Sequence, residues 1–214
     1  MPAEIVDGFK LVLGIAFRPG EFVSLSECET DQNGDRHPGR GQTLKQEDLL
    51  AQIAGKSIAQ IYTSADGVFL RINPMKAGGK KDEDVTNYRH CLIEFDLDQN
   101  GNRIPKEAQY AALIGSGLPF VAILDSGDKS IHGWCRLDAG SDFELYKKRR
   151  DEAYAKLAGT GWPFDPKNKN PSRYSRCPDC PRKLYDATGT VIGTGRQGIA
   201  CYQRRAGKLD RVRS

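Results

Sequence analysis

The sequence predicts an α+β fold in which a ferredoxin-like, RRM-like split βαβ sheet follows an N-terminal α/β module. From residue 89 onward the patterns run strand, helix, strand, strand, helix, strand, and a polar, glycine-containing stretch at 76–84 separates them from an N-terminal part. The chain of 214 residues, 38% hydrophobic and 28% charged, is long enough for one well-buried core. We therefore expect an N-terminal helix-and-hairpin module at 1–85 and an RRM-like module at 86–214, packed as one compact unit.

The N-terminal module is predicted to contain one helix and one hairpin. Helical periodicity with flanking cap residues places the helix at 44–54. Two runs of apolar and β-branched residues at 58–63 and 68–72, joined through Ala-Asp-Gly, indicate the hairpin. The stretch at 76–84 has no periodicity and is predicted to be a mobile connection.

The C-terminal module has a more regular pattern. Its predicted elements are strands at 90–98, 120–124 and 130–137, a helix at 105–114, a longer helix starting at Ser141, a hairpin turning at 187–189 and a last strand at 199–202. Right-handed crossovers would place the strands at 90–98 and 130–137 side by side at the centre of the sheet, with both helices on one face.

The composition excludes several classes of protein. No run reaches eighteen apolar residues, and the start of the chain lacks a basic segment followed by a cleavable apolar stretch, so we expect a cytoplasmic protein with no membrane partner. Its six cysteines are then expected to be mostly reduced. The net charge of +4, with basic clusters at 147–150 and 204–213, permits an anionic partner without requiring one.

Three acids recur at every second position of the first strand of this module. The two-residue period puts Glu94, Asp96 and Asp98 on one face. Acids on a half-exposed strand can simply be solvated. However, like charges at this spacing repel, and a divalent cation is the simplest means of relieving that repulsion.

The neighbouring strand alternates in the same way. Ser130, His132 and Trp134 share a face, so the hydroxyl and the imidazole are predicted to lie beside the acids, where they can bind a metal-held phosphate. A lone strand histidine is more often structural, and its position opposite three carboxylates favours function.

A third polar element follows the second helix of the module. Asp165 stands between two prolines, where it is either an ordinary turn residue or a metal ligand. Arg173 and Arg176 could converge on phosphate oxygens.

These three elements resemble conserved motifs of a known family. The run Glu94-Phe95-Asp96, the segment SGDKSIH at 126–132, and Asp165 with NPSRYSR at 170–176 are similar to motifs I, II and III of the archaeo-eukaryotic primase superfamily. The likeness is greatest to the primase-polymerase domains of phages, plasmids and other mobile elements, and it spans roughly residues 65 to 177.

The resemblance implies a nucleotidyltransferase that acts as a DNA primase or as a DNA-directed DNA or RNA polymerase in DNA replication. A 3′-hydroxyl would attack the α-phosphate of a bound dNTP or NTP, pyrophosphate would leave, and two Mg²⁺ or Mn²⁺ ions would stabilise the reacting oxygens. The implied partners are a DNA template and primer and a replicative helicase.

The resemblance also assigns roles residue by residue. The expected metal ligands are Glu94, Asp96 and Asp165, with Asp98 as an alternative member of the acidic pair, and the expected catalytic residues are Glu94, Asp96, Asp165 and His132. The expected nucleotide contacts are Lys129, Ser130, His132, Arg173 and Arg176, with Asn73 and Arg89 as weaker candidates.

Some alternatives remain open at the level of sequence. Where relatives often continue with Leu-Pro-Gly, this chain has Cys177-Pro178-Asp179-Cys180, which could form half of a zinc site with Cys201 and with Cys28 or His37, although unligated thiols are favoured. A non-catalytic single-stranded nucleic-acid-binding module would stack bases on aromatic residues of the same two strands. A palm-like nucleotide cyclase would need no template.

Overall fold

The computed structural model of the chain describes residues 7–159, 161, 166–203 and 209–211. The helices are α1 (Gly8–Ala16), α2 (Gln46–Gln52), α3 (Lys106–Gly115) and α4 (Phe143–Ala158). The strands are β1 (Phe22–Thr30), β2 (Arg36–Pro38), β3 (Gln42–Lys45), β4 (Val68–Arg71), β5 (His90–Ile93), β6 (Phe120–Asp125), β7 (Ile131–Arg136), β8 (Tyr174–Arg176), β9 (Pro181–Tyr185), β10 (Val191–Arg196), β11 (Gly198–Gln203) and β12 (Leu209–Arg211). They form two antiparallel sheets and the separate β9–β10 hairpin, so the fold is α+β.

The first sheet combines strands from both ends of the chain. Its order is β2-β1-β4-β8, with β3 also paired to β1. β8 follows α4, yet it pairs with β4 in the register Phe69↔Arg176, Leu70↔Ser175 and Arg71↔Tyr174. The two predicted modules are therefore joined through a shared sheet, and their division at residue 85 stays a prediction.

The second sheet has the order β12-β11-β6-β7-β5. β5 pairs with β7, which confirms that the two chemistry-bearing strands are neighbours. β11 pairs with β6, so within the described residues β5 lies at the edge of the sheet rather than at its predicted place in the centre. The ferredoxin-like strand order is therefore not confirmed.

Both faces of the second sheet are covered. Ile93 and Cys135 pack on the face that carries α3 and α4, and that core includes Leu113 and Tyr146. On the opposite face, Leu92, Leu124 and Trp134 join a core with α1 and β4 that includes Phe9, Leu13 and Leu70. Burying each such side chain contributes about 1.5–3 kcal/mol, so apolar packing clamps the two sheets together. His132 of β7 consequently lies against β8 of the first sheet, with its Nδ1 2.9 Å from Ser175 Oγ.

The predicted N-terminal elements are partly wrong. The predicted helix at 44–54 begins later, because residues 42–45 form strand β3, in which Thr43 pairs with Ser24 and Leu44 with Val23 of β1. α2 is therefore shorter than predicted. The run at 58–63 forms a 3₁₀ turn at Ile58–Gln60, in which the Gln60 side chain accepts the Ser57 backbone N–H. β4 therefore pairs with β1 instead of forming a hairpin, and α1 and β1 were not predicted.

The stretch at 76–84 is held by specific hydrogen bonds. Asp84 Oδ2 accepts the backbone N–H groups of Lys80 (2.9 Å) and Lys81 (3.0 Å), and Gly78 N donates to Thr43 Oγ1 at 2.7 Å. Polar residues of this stretch therefore bond to the backbone, and its mobility stays a prediction.

The C-terminal helices and strands agree better with the predictions. α3, β6, β7, the β9–β10 hairpin and β11 lie within two residues of their predicted bounds. α4 is capped by Asp142, whose carboxylate accepts Leu145 N at 2.9 Å, and not by Ser141. Among the described residues, no helix has the length and apolar character needed to span a membrane.

Asn73 joins three segments of the chain. Its fully buried amide donates to the carbonyls of His90 (2.8 Å) and Pro171 (2.9 Å) and accepts the N–H groups of Arg89 (2.9 Å) and His90 (2.7 Å). These four bonds use the full capacity of a carboxamide and tie β5 to the segments that follow β4 and precede β8.

We predict that Asn73→Ala lowers the free energy of unfolding by about 2–4 kcal/mol, because it leaves buried backbone groups without partners. Chemical denaturation measures this change. Asn33→Ala, in an exposed turn, is the control and should change stability by less than about 0.5 kcal/mol. Equal, small effects of the two substitutions would contradict this role of Asn73.

Candidate active site

The acidic segment lies where β5 ends, beside β7. The predicted strand at 90–98 stops at Ile93, so Glu94 and Asp96 follow the strand and Asp98 belongs to a separate turn. Asp98 Oδ1 accepts the N–H groups of Asn100 and Asn102, both at 2.8 Å, and turn bonding of this kind competes with continued strand pairing. The predicted row of three acids on one strand is therefore not formed.

Glu94 contacts two side chains from different parts of the chain. Its Oε1 lies 3.5 Å from His132 Nε2, and its Oε2 accepts Asn168 Nδ2 at 3.3 Å. The Glu94 side chain is 17% exposed and that of His132 is 7% exposed. The carboxylate thus lies largely out of water.

β8 fixes the imidazole from its other side. His132 Nδ1 lies 2.9 Å from Ser175 Oγ and 3.4 Å from Arg176 N. Because a backbone N–H can only donate, we assign Nδ1 as the acceptor and place the ring hydrogen on Nε2, facing Glu94. The pairing of β8 with β4 therefore orients a side chain of the other sheet.

The environment keeps Glu94 ionised. Burial raises its pKa, but the opposing effects of His132, the Arg173 charge and a Ser130 hydrogen bond are together larger and lower the pKa to about 2. A carboxylate with so low a pKa is negatively charged throughout the physiological range.

Two oxygen atoms in this region lack donors among the described residues. Asp96 Oδ2 contacts Lys129 Nζ at 3.2 Å, but its buried Oδ1 has no hydrogen-bond partner in that part of the chain, and neither has the buried Oδ1 of Asn168. Unpaired buried acceptors beside an ionised carboxylate match the oxygen ligands that Mg²⁺ and Mn²⁺ prefer. The residues present therefore fit a divalent cation, although within the described residues no group of three His, Cys, Asp or Glu side chains is arranged to hold a metal.

The loop before β7 is packed tightly in place. Ser126 Oγ accepts Ser130 N at 3.1 Å, and Arg182 pairs with Asp128 at 3.2 Å. A Cβ on Gly195 of β10 would lie 1.9 Å from the Gly127 carbonyl oxygen, so only glycine allows this approach. The β9–β10 hairpin thereby positions the segment that carries Lys129 and Ser130.

Two arginines add positive charge beside Glu94. Arg176 is 9% exposed and its guanidinium lies 4.0 Å from the Phe69 ring centroid. Burial and the nearby Arg182 charge lower the Arg176 pKa to about 10, so Arg176 still carries its charge at neutral pH. The partly buried Arg173 also contributes to the low pKa of Glu94.

Other sequence-predicted residues lie elsewhere. Asp165 is outside the described residues, so its metal role stays a prediction. The amide of Asn73 is fully used, and the Arg89 guanidinium donates to Glu21 at 2.6 and 3.0 Å and to the Ala16 carbonyl at 2.5 Å, so both are structural. These internal contacts disfavour Asn73 and Arg89 as nucleotide-binding residues.

The cysteine pair does not extend to a zinc site within the described residues. Cys177 and Cys180 are fully buried in the core between the sheets, and burial raises the pKa of Cys177 well above the usual thiol value. Cys201 Sγ lies 2.7 Å from Tyr110 Oη in the other core. Whether the pair binds zinc stays a prediction.

Sequence reasoning missed two residues of the site, Asn168 and Ser175. Both are fully buried polar residues in a turn-rich segment. The only available signal for Ser175 was strand alternation in Tyr174-Ser175-Arg176, and no local pattern singled out Asn168.

Comparison with known proteins defines the fold. No protein-family profile and no curated protein matches the sequence. The structure is similar to the AEP domain of the cyanophage S-2L primase-polymerase, with a TM-score of 0.56 and 19% identity over 90% of this chain and 88% of that chain. The chain shares the fold of that domain. Primase RepB′ is also similar, with a TM-score of 0.53 and 11% identity over 90% of this chain and 54% of that chain.

The low pKa of Glu94 gives a testable pH dependence. The ionised carboxylate stabilises the folded state fully above about pH 4.5, and this contribution is lost as the pH falls from 4.5 towards 2. We therefore expect acidification to remove more stability from the wild type than from Glu94→Gln.

Denaturation curves at several pH values between 6 and about 2.5 measure the difference. Glu152→Gln, which removes an exposed carboxylate from α4, is the matched control and should lose stability in parallel with the wild type. If the difference between wild type and Glu94→Gln does not change with pH, the electrostatic account of Glu94 is wrong.

Proposed function

We propose that this protein is a template-directed nucleotidyltransferase of the primase-polymerase type. The observation that carries the proposal lies at the ends of β5 and β7, where ionised Glu94 lies 3.5 Å from His132 Nε2. Among the described residues, the buried Oδ1 atoms of Asp96 and Asn168 there have no hydrogen-bond donor. The archaeo-eukaryotic primase fold supports the same chemistry. Synthesis would need a DNA template, dNTP or NTP, and either a primer strand or an initiating nucleotide. The expected protein partner is a replicative helicase.

Glu94 and Asp96 are the proposed carboxylate pair, and Asp165 is the proposed third ligand. Asp98 is disfavoured because its oxygens accept hydrogen bonds within its own turn. Asn168 Oδ1 would add a neutral ligand. The bound Mg²⁺ or Mn²⁺ would stabilise the charge that develops on the attacking and leaving oxygens.

The cations beside the cluster would bind the triphosphate. Ser130 and His132 donate to Glu94 in this structure, and a cation bound at that carboxylate would free them to donate to phosphate oxygens. Arg173 and Arg176 would supply further positive charge. Lys129 is held 3.2 Å from Asp96, so a cation beside Asp96 would release it to a phosphate. These groups position the α-phosphate for in-line attack by a 3′-hydroxyl.

The alternative of a non-catalytic strand-binding module has less support. Such modules stack bases on exposed aromatic residues of the two neighbouring strands. Here Trp134 is fully buried under α1 and β4, and the remaining polar residues of that face, Ser130 and His132, are at most 5% exposed. No aromatic side chain of the described β5 and β7 is free to stack on a base.

The metal pair can be tested by paired substitutions. We expect Asp96→Asn to lower primer extension by at least roughly 100-fold, because it removes charge where the cations act. Asp98→Asn should retain most activity, since an asparagine oxygen can still accept the turn hydrogen bonds. The assay is extension of a labelled primer on a template with dNTP or NTP in Mg²⁺ or Mn²⁺.

Two results would contradict the proposal. Loss of activity in Asp98→Asn but not in Asp96→Asn would reassign the pair. Template-independent turnover of nucleotide to a cyclic product would favour the cyclase.

A further inference from the structure

A groove rich in cations runs along the outer face of the first sheet. Two adjoining cavities of about 480 and 310 Å³ share Pro38, Arg71 and Tyr174. We call this surface the basic groove; its cationic side chains are Arg36, Arg40, Arg71, Lys80, Arg173 and Arg176. Among the described residues, no Asp or Glu lines either cavity.

Arg71 is the best evidence that the groove has a ligand. It is 8% exposed, and its guanidinium donates to the carbonyls of Ser172 and Lys80 while lying 4.1 Å from the Tyr174 ring centroid. Its Nε is buried and has no hydrogen-bond partner in the described part of the chain. A buried charge without a counter-ion is costly, and an anion in the adjoining cavity would supply one.

The other cations are also available. Within the described part of the chain, Arg36 pairs with Asp66, but Arg40, Lys80, Arg173 and Arg176 have no carboxylate within salt-bridge distance. Arg40 and Lys80 are exposed at the outer end of the groove. Unpaired cations around an acid-free cavity attract phosphate.

Glycines narrow the walls of the groove. A Cβ on Gly41 would lie 2.6 Å from Tyr174 Oη, and one on Gly79 would lie 2.7 Å from Asp84 Cβ. Gly78, in the left-handed region at φ +69°, donates its N–H to Thr43 and ties this loop to β3. Such walls bring backbone close to a ligand, as phosphate sites often require.

The aromatic residues favour a strand over a free nucleotide. Arg71 covers the Tyr174 ring and Arg176 covers the Phe69 ring, so these rings serve as supports for guanidinium groups rather than as platforms for a base. The groove also continues from Arg40 and Lys80 to Arg173 and Arg176, which act on Glu94. Its chemistry therefore matches successive phosphates that lead towards the candidate site.

We propose that the basic groove binds the phosphodiester backbone of a single-stranded DNA, independently of base sequence, through Arg40, Arg71 and Lys80. The proposal rests on the proposed function in that the strand would be the template. Binding itself needs neither the cation nor turnover.

The test uses the full chain and a labelled oligothymidylate in EDTA, with fluorescence anisotropy measured across a salt series. Arg40→Gln combined with Lys80→Gln removes two exposed charges and should not disturb the core. For a single strand, each lost phosphate contact reduces the steepness of the plot of log binding constant against log salt concentration (the salt slope) by roughly 0.7. We therefore expect the salt slope to decrease by about 1.4 in this variant, together with weaker binding. Arg18→Gln with Lys148→Gln removes the same charge from exposed positions elsewhere and should leave the slope unchanged.

Strand binding by the groove is distinguished from nucleotide binding and from a general effect of net charge. An unchanged slope in the groove variant, or an equal decrease in the control, would overturn the proposal. A decrease in metal-free dATP binding with strand binding intact would also overturn it, since the phosphate would then belong to a nucleotide. Normal strand binding by a wild type that extends no primer would count against the proposed function and not against the groove.

Discussion

An ionised carboxylate held out of water between two sheets is the constraint on which the site depends. Glu94 leaves the end of β5 in the second sheet, and its partner His132 is oriented by Ser175 and Arg176 of β8 in the first. An isolated buried carboxylate would take up a proton, so the surrounding donors and cations are needed to keep it charged. The contact between Glu94 and His132 therefore depends on how the two sheets pack, and the apolar core between them holds them in that position.

The same arrangement links the candidate active site to the basic groove. β8 presents Ser175 to His132, while Tyr174 and Arg176 on either side of it face Arg71 and Phe69 along the groove. Because successive side chains of a strand point to opposite faces, β8 contributes Ser175 to the candidate active site and Tyr174 and Arg176 to the basic groove. A strand lying in the groove would reach Arg173 and Arg176, whose charges act on Glu94.

Much of the site could be predicted from the sequence, because it depends on short-range periodicity and on crossover handedness. Alternation placed Ser130 and His132 on one face, and the strand–helix–strand order placed them beside Glu94. The placement of Asp98 on the strand was wrong, because the turn-forming run Asp98-Gln-Asn-Gly overrides strand alternation, and its role as a metal ligand stays a prediction. Asn168 and β8 could not be predicted, since their contacts join residues about 70 to 100 positions apart with no local signal. The ferredoxin-like order is not confirmed for the same reason, because tertiary packing determines the pairing of β8 and β11.

The central claim is that Glu94 and Asp96 form a cation site at the end of β5. Anomalous diffraction from crystals of the protein soaked in Mn²⁺ tests it most directly. The account predicts a peak at coordination distance from carboxylate oxygens of both residues, with Asn168 Oδ1 beside it. A peak in the Asp98 turn with none beside Glu94, or a Glu94 carboxylate turned away from His132, would contradict it.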